Sequence, residues 1–156
     1  MIESDKIYEI CLDLAKSSPC QKRGFGCVLT NGIDIISQSN NHDIDTISNL
    51  CKPRCIRFDM SSGSDSMIGD CGHAEEHTIW ECIKKTGSAV GTELWVLGVS
   101  KPQKEVLENT KFYCVRCSTL MRYAKVSGVH IHYNNEWHWV TTSEAYATSL
   151  EYSIKK

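Results

Sequence analysis

The sequence lacks several features that would each settle a class. It has no basic surplus: 17 Lys and Arg face 19 Asp and Glu, the formal net charge is −2 and the pI is about 6.3. Tight, nonspecific binding of a polyanion normally needs a basic face, so a nucleic-acid partner is not expected. A small anionic substrate remains open, because two or three Arg or Lys side chains can hold one. No stretch approaches the ~18 apolar residues of a membrane span. The opening "MIESDKIYEI" is acidic and carries no apolar signal region, so the expected location is cytoplasmic. Internal repeats and low-complexity tracts are also missing. With 156 residues, 41% of them hydrophobic, the expectation is one domain over 1–156 with one core.

Cysteine, by contrast, is plentiful. Nine are present: Cys11, Cys20, Cys27, Cys51, Cys55, Cys71, Cys82, Cys114 and Cys117. The count is odd, and in a reducing compartment metal ligation, catalysis or plain burial explains thiols better than disulfides do. Cys11 and Cys82 fall within helical patterns and are expected in the core.

Residues 3–17 place Ile7, Ile10, Cys11 and Leu14 at helical spacing, with acids early and Lys16 late. "FGCVLT" (25–30) and "IDIISQ" (33–38) read as strands joined at Asn31-Gly32, a strong hairpin signal. Residues 39–72 have little periodicity and read as a long irregular loop. A helix is predicted over 74–86, with Lys84, Lys85 and Gly87 as its C-terminal signals. "ELWVLGV" (93–99) reads as a strand buried on both faces, and the polar stretch 100–111 as a surface excursion. A helix over 115–125 follows. Then "VHIHY" and "WHWVT" form a second antiparallel hairpin around "NNE", and a last helix over 143–153 starts at Ser143 as N-cap. The order α-β-β-α-β-α-β-β-α predicts one mixed sheet with helices on its faces.

His73 precedes Cys114 by 41 residues, and Cys117 lies three further on. One imidazole and two thiolates make a good three-ligand set for Zn2+, with a fourth tetrahedral position left for water. Both motifs stand at helix starts, where the dipole favours thiolate charge. Glu75 can face the same pocket without binding the metal and act as the proton carrier. Glu76 reads as an ordinary first-turn acid. "HAE" at 73–75 with "CVRC" at 114–117 resembles the zinc-dependent cytidine/deoxycytidylate deaminase superfamily. The order of elements is similar to that superfamily over roughly residues 5–150.

The resemblance implies a three-layer α-β-α fold with a five-stranded mixed sheet and helices on both faces. It also implies hydrolytic release of ammonia from C4 of a cytosine ring, with zinc activating the water and Glu75 moving protons. It places a substrate-contacting Asn after the second strand, where "QSNNH" offers Asn40 and Asn41, with Asn40 preferred. Two departures bear on the substrate: Tyr113 stands where the superfamily usually has Pro, and residues 100–111 intervene before the cysteine pair as a lid or an oligomer contact. Some deoxycytidylate deaminases carry a second, structural zinc, for which Cys20, Cys51, Cys55 and Cys71 are the candidates here. Lys52, Arg54 and Arg57 read either as a phosphate grip or as a solvated basic loop. His130, His132 and His138 read as one face of an amphipathic hairpin, with a second metal site or an aromatic wall as alternatives. The implied substrate is a nucleotide or nucleoside, with dCMP favoured, cytidine or deoxycytidine next and single-stranded polynucleotide third. A non-catalytic zinc module closed by Cys71 is the alternative class. A homo-oligomer is implied.

Overall fold

Two glycines in the first strand set how the sheet meets its first helix. In the computed structural model, which describes residues 2–44, 55, 58–59 and 71–155, α1 (Ser4–Ser17) lies directly on β1 (Arg23–Thr30). A side chain at Gly24 or Gly26 would overlap the backbone of α1. β1 then pairs antiparallel with β2 (Ile35–Asn40), from Gly26↔Asn40 to Leu29↔Ser37, with a shift of register at Thr30. The turn is wider than the two residues expected. Asn31 holds it by accepting the backbone N–H groups of Ile33 and Asp34 at its side-chain oxygen, with Gly32 at φ +90°.

The irregular stretch holds a small ribbon that its composition does not announce: β3 (His42–Asp43) pairs antiparallel with β4 (Cys71–Gly72). α2 (Ala74–Thr86) follows at the expected bounds and ends on Gly87, φ +84°, whose N–H donates to the Ile83 carbonyl. β5 (Glu93–Ser100) pairs antiparallel with β1 along its whole length and parallel with β6 (Gly128–Tyr133) over Glu93–Val96 only. α3 (Val115–Ala124) lies between them in sequence. β6 and β7 (Glu136–Thr141) form the expected hairpin, turned by Asn134 and Asn135 at φ 53° and 62°. α4 (Thr142–Ile154) is capped by Thr141, whose hydroxyl accepts the Glu144 N–H, and not by Ser143. The sheet order is β2-β1-β5-β6-β7, mixed and five-stranded.

Strand alternation sorts the core into two layers. Cys27, Leu29, Leu94, Val129 and Ile131 face Ile79, Cys82, Met121 and Ala145 of α2, α3 and α4. Val28, Leu97 and Val99 face Ile7, Cys11 and Ala15 of α1. Cys11 and Cys82 are fully buried, as their helical positions predict. The first half of β5 is covered less completely than expected: Trp95, on the α1 face, and Val96, on the opposite face, are both half-buried.

The stretch 101–111 does more than run over the surface. β6 leaves the last residues of β5 unpaired on one edge, and the chain folds back to fill it. Ser100 N–H donates to Glu105 O and Leu107 N–H to Gly98 O, both at 2.8 Å, with a bridge between Val99 and Val106. Among the described residues no helix is long and apolar enough to cross a membrane.

Candidate active site

The cavity opens where β5 and β6, which run parallel, reach their C-terminal ends, as is usual for ligand sites on such sheets. It measures about 460 Å³. Val96, Leu97, Gly98 and Ile131 supply its sheet wall, and the starts of α2 and α3 its floor.

His73 is the N-cap of α2 and Cys114 the N-cap of α3. The Cys114 sulfur accepts the Cys117 N–H at 3.4 Å, which turns both sulfurs to one point. His73 Nδ1 lies 3.2 Å from Cys117 Sγ and 3.3 Å from Cys114 Sγ. Zn–N of ~2.0 Å and Zn–S of ~2.3 Å in a tetrahedron require N–S edges of ~3.5 Å, so the donor set fits that metal. Among the described residues this is the one group of three or more His, Cys, Asp and Glu whose ligand atoms gather, all within 4.8 Å. Cys71 is not in it.

The electrostatics agree with a cation at this point. The Cys114 thiol is lowered to about 4, first by its hydrogen bond with the Cys117 side chain, against the cost of burial, and then by His73. Burial pushes Cys117 well up, so the pair keeps a proton at neutral pH. His73 is raised: burial opposes its charge, but the Cys114 contact and the charges of Cys114, Glu75 and Glu76 outweigh that. Both thiols and the ring nitrogen must be deprotonated to ligate. Zinc uptake at pH 7 is therefore expected to release at least one proton per chain, and affinity to weaken steadily as pH falls. Titration calorimetry in buffers of different ionisation enthalpy reads the proton count directly; a heat that does not vary with buffer would contradict it.

Glu75 sits one residue into α2, 7% exposed, beside these ligands. Its carboxyl is raised above the ordinary range, first by burial and then by the Cys114 charge, with His73 pulling the other way. A carboxyl shifted in this direction holds a proton more readily than a free one, which suits a proton carrier.

Of the two candidate asparagines, the cavity contains Asn41. Asn40, the preferred candidate, is not among the lining residues: its amide donates to Leu14 O at 3.2 Å and its oxygen meets His42 Nδ1 at 3.0 Å, which turns it towards the end of α1. Asn41 accepts the Phe25 N–H at 2.7 Å and donates to Arg23 O at 2.9 Å. One amide hydrogen and one lone pair remain to it.

Cys20, Cys55 and Cys71 all stand on the cavity wall without forming a tight ligand set, and Cys51 lies outside the described residues. Lys52, Arg54 and Arg57 also lie outside them. The three hairpin histidines do not converge. His130 stacks on Trp95 and meets Glu93 at 3.0 Å, and His132 packs against Tyr8 and Trp137. His138 turns to the other side of the sheet, stacked on Tyr133.

Sequence reasoning missed three contributions. Lys22 and Arg23, where β1 begins, join Lys111 and Arg116 in the wall, and Glu75 is the only acid among the described lining residues. Asn109, Lys111, Phe112 and Tyr113 come from the segment that leads out of the β5 edge pairing, so the intervening stretch builds cavity wall. Tyr152 and Ser153 of α4 reach the rim, and Tyr152 meets Tyr113 edge-on at 4.8 Å. None of these carries a spacing signal; each depends on chain segments far apart in sequence.

A family model described as "Cytidine and deoxycytidylate deaminase zinc-binding region" matches residues 1–133. No curated protein matches the chain in sequence. Among solved structures, the dCMP deaminase of cyanophage S-TIM5 in apo form is similar with a TM-score of 0.52 at 16% identity, over 85% of this chain and 86% of that one. A glutamate-to-glutamine mutant of cytidine deaminase from Mycobacterium tuberculosis is similar with a TM-score of 0.50 at 14% identity, over 89% and 92%. At those identities the likeness is one of fold.

Proposed function

The chain belongs to the cytidine and deoxycytidylate deaminase family, and from there we propose that it is a zinc-dependent hydrolase that converts a cytosine nucleotide, dCMP first, to its uracil counterpart and ammonia. The observation that carries this reading is a buried carboxyl, Glu75, beside a three-donor set that fits zinc, on the floor of a cavity of about 460 Å³. His73, Cys114 and Cys117 would hold the ion. Bound zinc supplies a water whose pKa falls from about 15.7 towards 7. Glu75 would carry one proton from the water to N3 of the ring as the water oxygen bonds to C4, and the second from the resulting hydroxyl to the amine as the C4–N bond breaks and ammonia leaves. The raised carboxyl suits this duty, because burial and the Cys114 charge make it hold a proton more firmly than an ordinary glutamate does. Asn41 has one donor and one acceptor to offer the sugar or base.

The wall favours a phosphate. Lys22, Arg23 and Lys111 stand around a cavity in which Glu75 is the only acid among the described residues, in a chain of net charge −2. Basic groups concentrated there attract an anion. The antiparallel β6–β7 hairpin favours the second reading, a free nucleoside, because that pairing is more like the cytidine deaminase branch.

Ammonia release from dCMP, CMP, deoxycytidine, cytidine and a short single-stranded oligonucleotide, at equal concentration and with one zinc per chain, separates these. We expect kcat/KM for dCMP to exceed that for deoxycytidine by about tenfold or more, the worth of one charge-assisted contact. Equal rates would favour the nucleoside. Turnover of the oligonucleotide alone would point to a polymer substrate. No release from any, with zinc bound, would sink the catalytic reading.

A further inference from the structure

We propose that Glu76 and Arg116 form a positioning clamp that fixes the spacing between the two zinc-bearing helix starts; the proposal rests on His73, Cys114 and Cys117 being the zinc ligands. The ligands arrive on segments 41 residues apart and meet only at the N-termini of α2 and α3. One carboxylate spans that gap. Glu76 Oε1 accepts the backbone N–H of His73 at 2.9 Å, and Oε2 accepts Nε–H of Arg116 at 2.8 Å. Arg116 stands between the two cysteines in the chain, and another of its nitrogens donates to the Cys71 carbonyl at 3.2 Å. The backbone is thus held at His73 by Glu76 of its own helix, which Arg116 grips, and two residues before it, at Cys71, by Arg116 itself.

A first-turn acid that only answers the helix dipole needs no partner across the site and would be content in solvent. Here the pair is largely buried, with side-chain exposures of 20% for Arg116 and 17% for Glu76. Burying two charges is costly unless their geometry is good and the remaining hydrogen-bonding groups are satisfied. Here both carboxylate oxygens are engaged, and Arg116 uses two of its nitrogens to reach different segments. Arg suits the task because its planar fork can bond in two directions at once, which an ammonium cannot do with the same orientation. The clamp does not touch the metal. Its effect reaches the site through the positions of His73 and the cysteine turn.

The test measures metal, not turnover. Zinc release to a competing chelator is followed for wild type, Glu76→Gln, Arg116→Met, Arg116→Lys and the Glu76→Gln/Arg116→Met double variant. The absorption bands of each Co2+-substituted protein are recorded, and the thermal stability of each metal-free protein is measured. Val28→Ala, in the core layer on the α1 side of the sheet, is the control for destabilisation alone. Expected is a 10–100-fold loss of zinc affinity in Glu76→Gln and in Arg116→Met, the usual range for groups behind the ligands. The double variant should lose no more than the weaker single, because both remove one device. Arg116→Lys should recover part of the loss. Co2+ bands should shift in the clamp variants and not in Val28→Ala. If Arg116→Met fails to fold, Glu76→Gln and Arg116→Lys carry the comparison. Zinc affinity and Co2+ bands equal to wild type, with only metal-free stability lowered, would overturn the clamp and leave a simple staple between two helices. Failure of wild type itself to bind zinc would overturn the proposed function and the clamp together.

Discussion

Glu75→Gln is expected to lower turnover by about a thousandfold while leaving zinc per chain unchanged. The substitution keeps the volume and shape of the side chain in a site where Glu75 is 7% exposed, so the cavity and its ligands should not shift. It removes the one function an amide cannot supply, which is to accept a proton and pass it on. No other acid lines the cavity among the described residues to take over that task. A variant that kept full activity would sink the catalytic role of Glu75. One that lost zinc together with activity would show that Glu75 supports the metal instead.

The same variant has a signature in stability. Burial, and then the Cys114 charge, raise the Glu75 carboxyl in the folded protein. A raised carboxyl stabilises fully below its unfolded pKa, near 4.3, and that stability is lost as pH rises through the folded value. Metal-free Glu75→Gln should therefore melt above the metal-free wild type at pH 7–8. The gap should close as pH is lowered towards 4.3. A catalytic loss accompanied by a gain in stability is hard to explain by damage to the fold.

The centre of the candidate site is legible from local signals alone. "HAE" and "CVRC" are short motifs, and helix geometry converts their spacing into direction, so His73, Glu75, Cys114 and Cys117 need no long-range information to stand out. The bounds of α2 follow from Lys84, Lys85 and Gly87, and the β6–β7 hairpin from alternation around Asn134-Asn135. Legibility stops where a contact depends on two distant segments. Residues 101–107 look like surface by composition, yet they fill a strand edge that exists only because β6 pairs with half of β5. The choice between Asn40 and Asn41 is beyond local reading for a related reason. Neighbours at a strand end point to opposite sides, so an error of one residue exchanges the cavity for the end of α1. Glu76 looks like a dipole acid because nothing in its own helix marks Arg116, 40 residues on, as its partner.

Gly26→Ala should be the most damaging change on the other side of the sheet. The added methyl would overlap the carbonyl oxygen of Cys11 and stand 2.9 Å from the Ala15 nitrogen, both backbone atoms of α1 that no rotamer change can move away. Gly24→Ala meets the Ala15 carbonyl in the same manner. Relief requires α1 to lift from β1, which would strip Ile7, Cys11 and Ala15 from Val28, Leu97 and Val99. Overpacking of this kind costs about 3 kcal/mol or more, a large share of the ~5–15 kcal/mol that holds a domain folded. A fall in melting temperature of roughly 10 °C is expected for the metal-free protein. Gly32→Ala is the comparison: its φ of +90° strains any side chain, but no atom lies within 4 Å of the added carbon, so it should cost only about 1 kcal/mol. The ligands sit at the starts of α2 and α3, which pack on the opposite face from α1. Saturating zinc should therefore restore part of the lost stability in Gly26→Ala by binding the folded state alone. Equal melting temperatures for Gly26→Ala and Gly32→Ala would show that α1 does not rest on β1 as closely as the two glycines require.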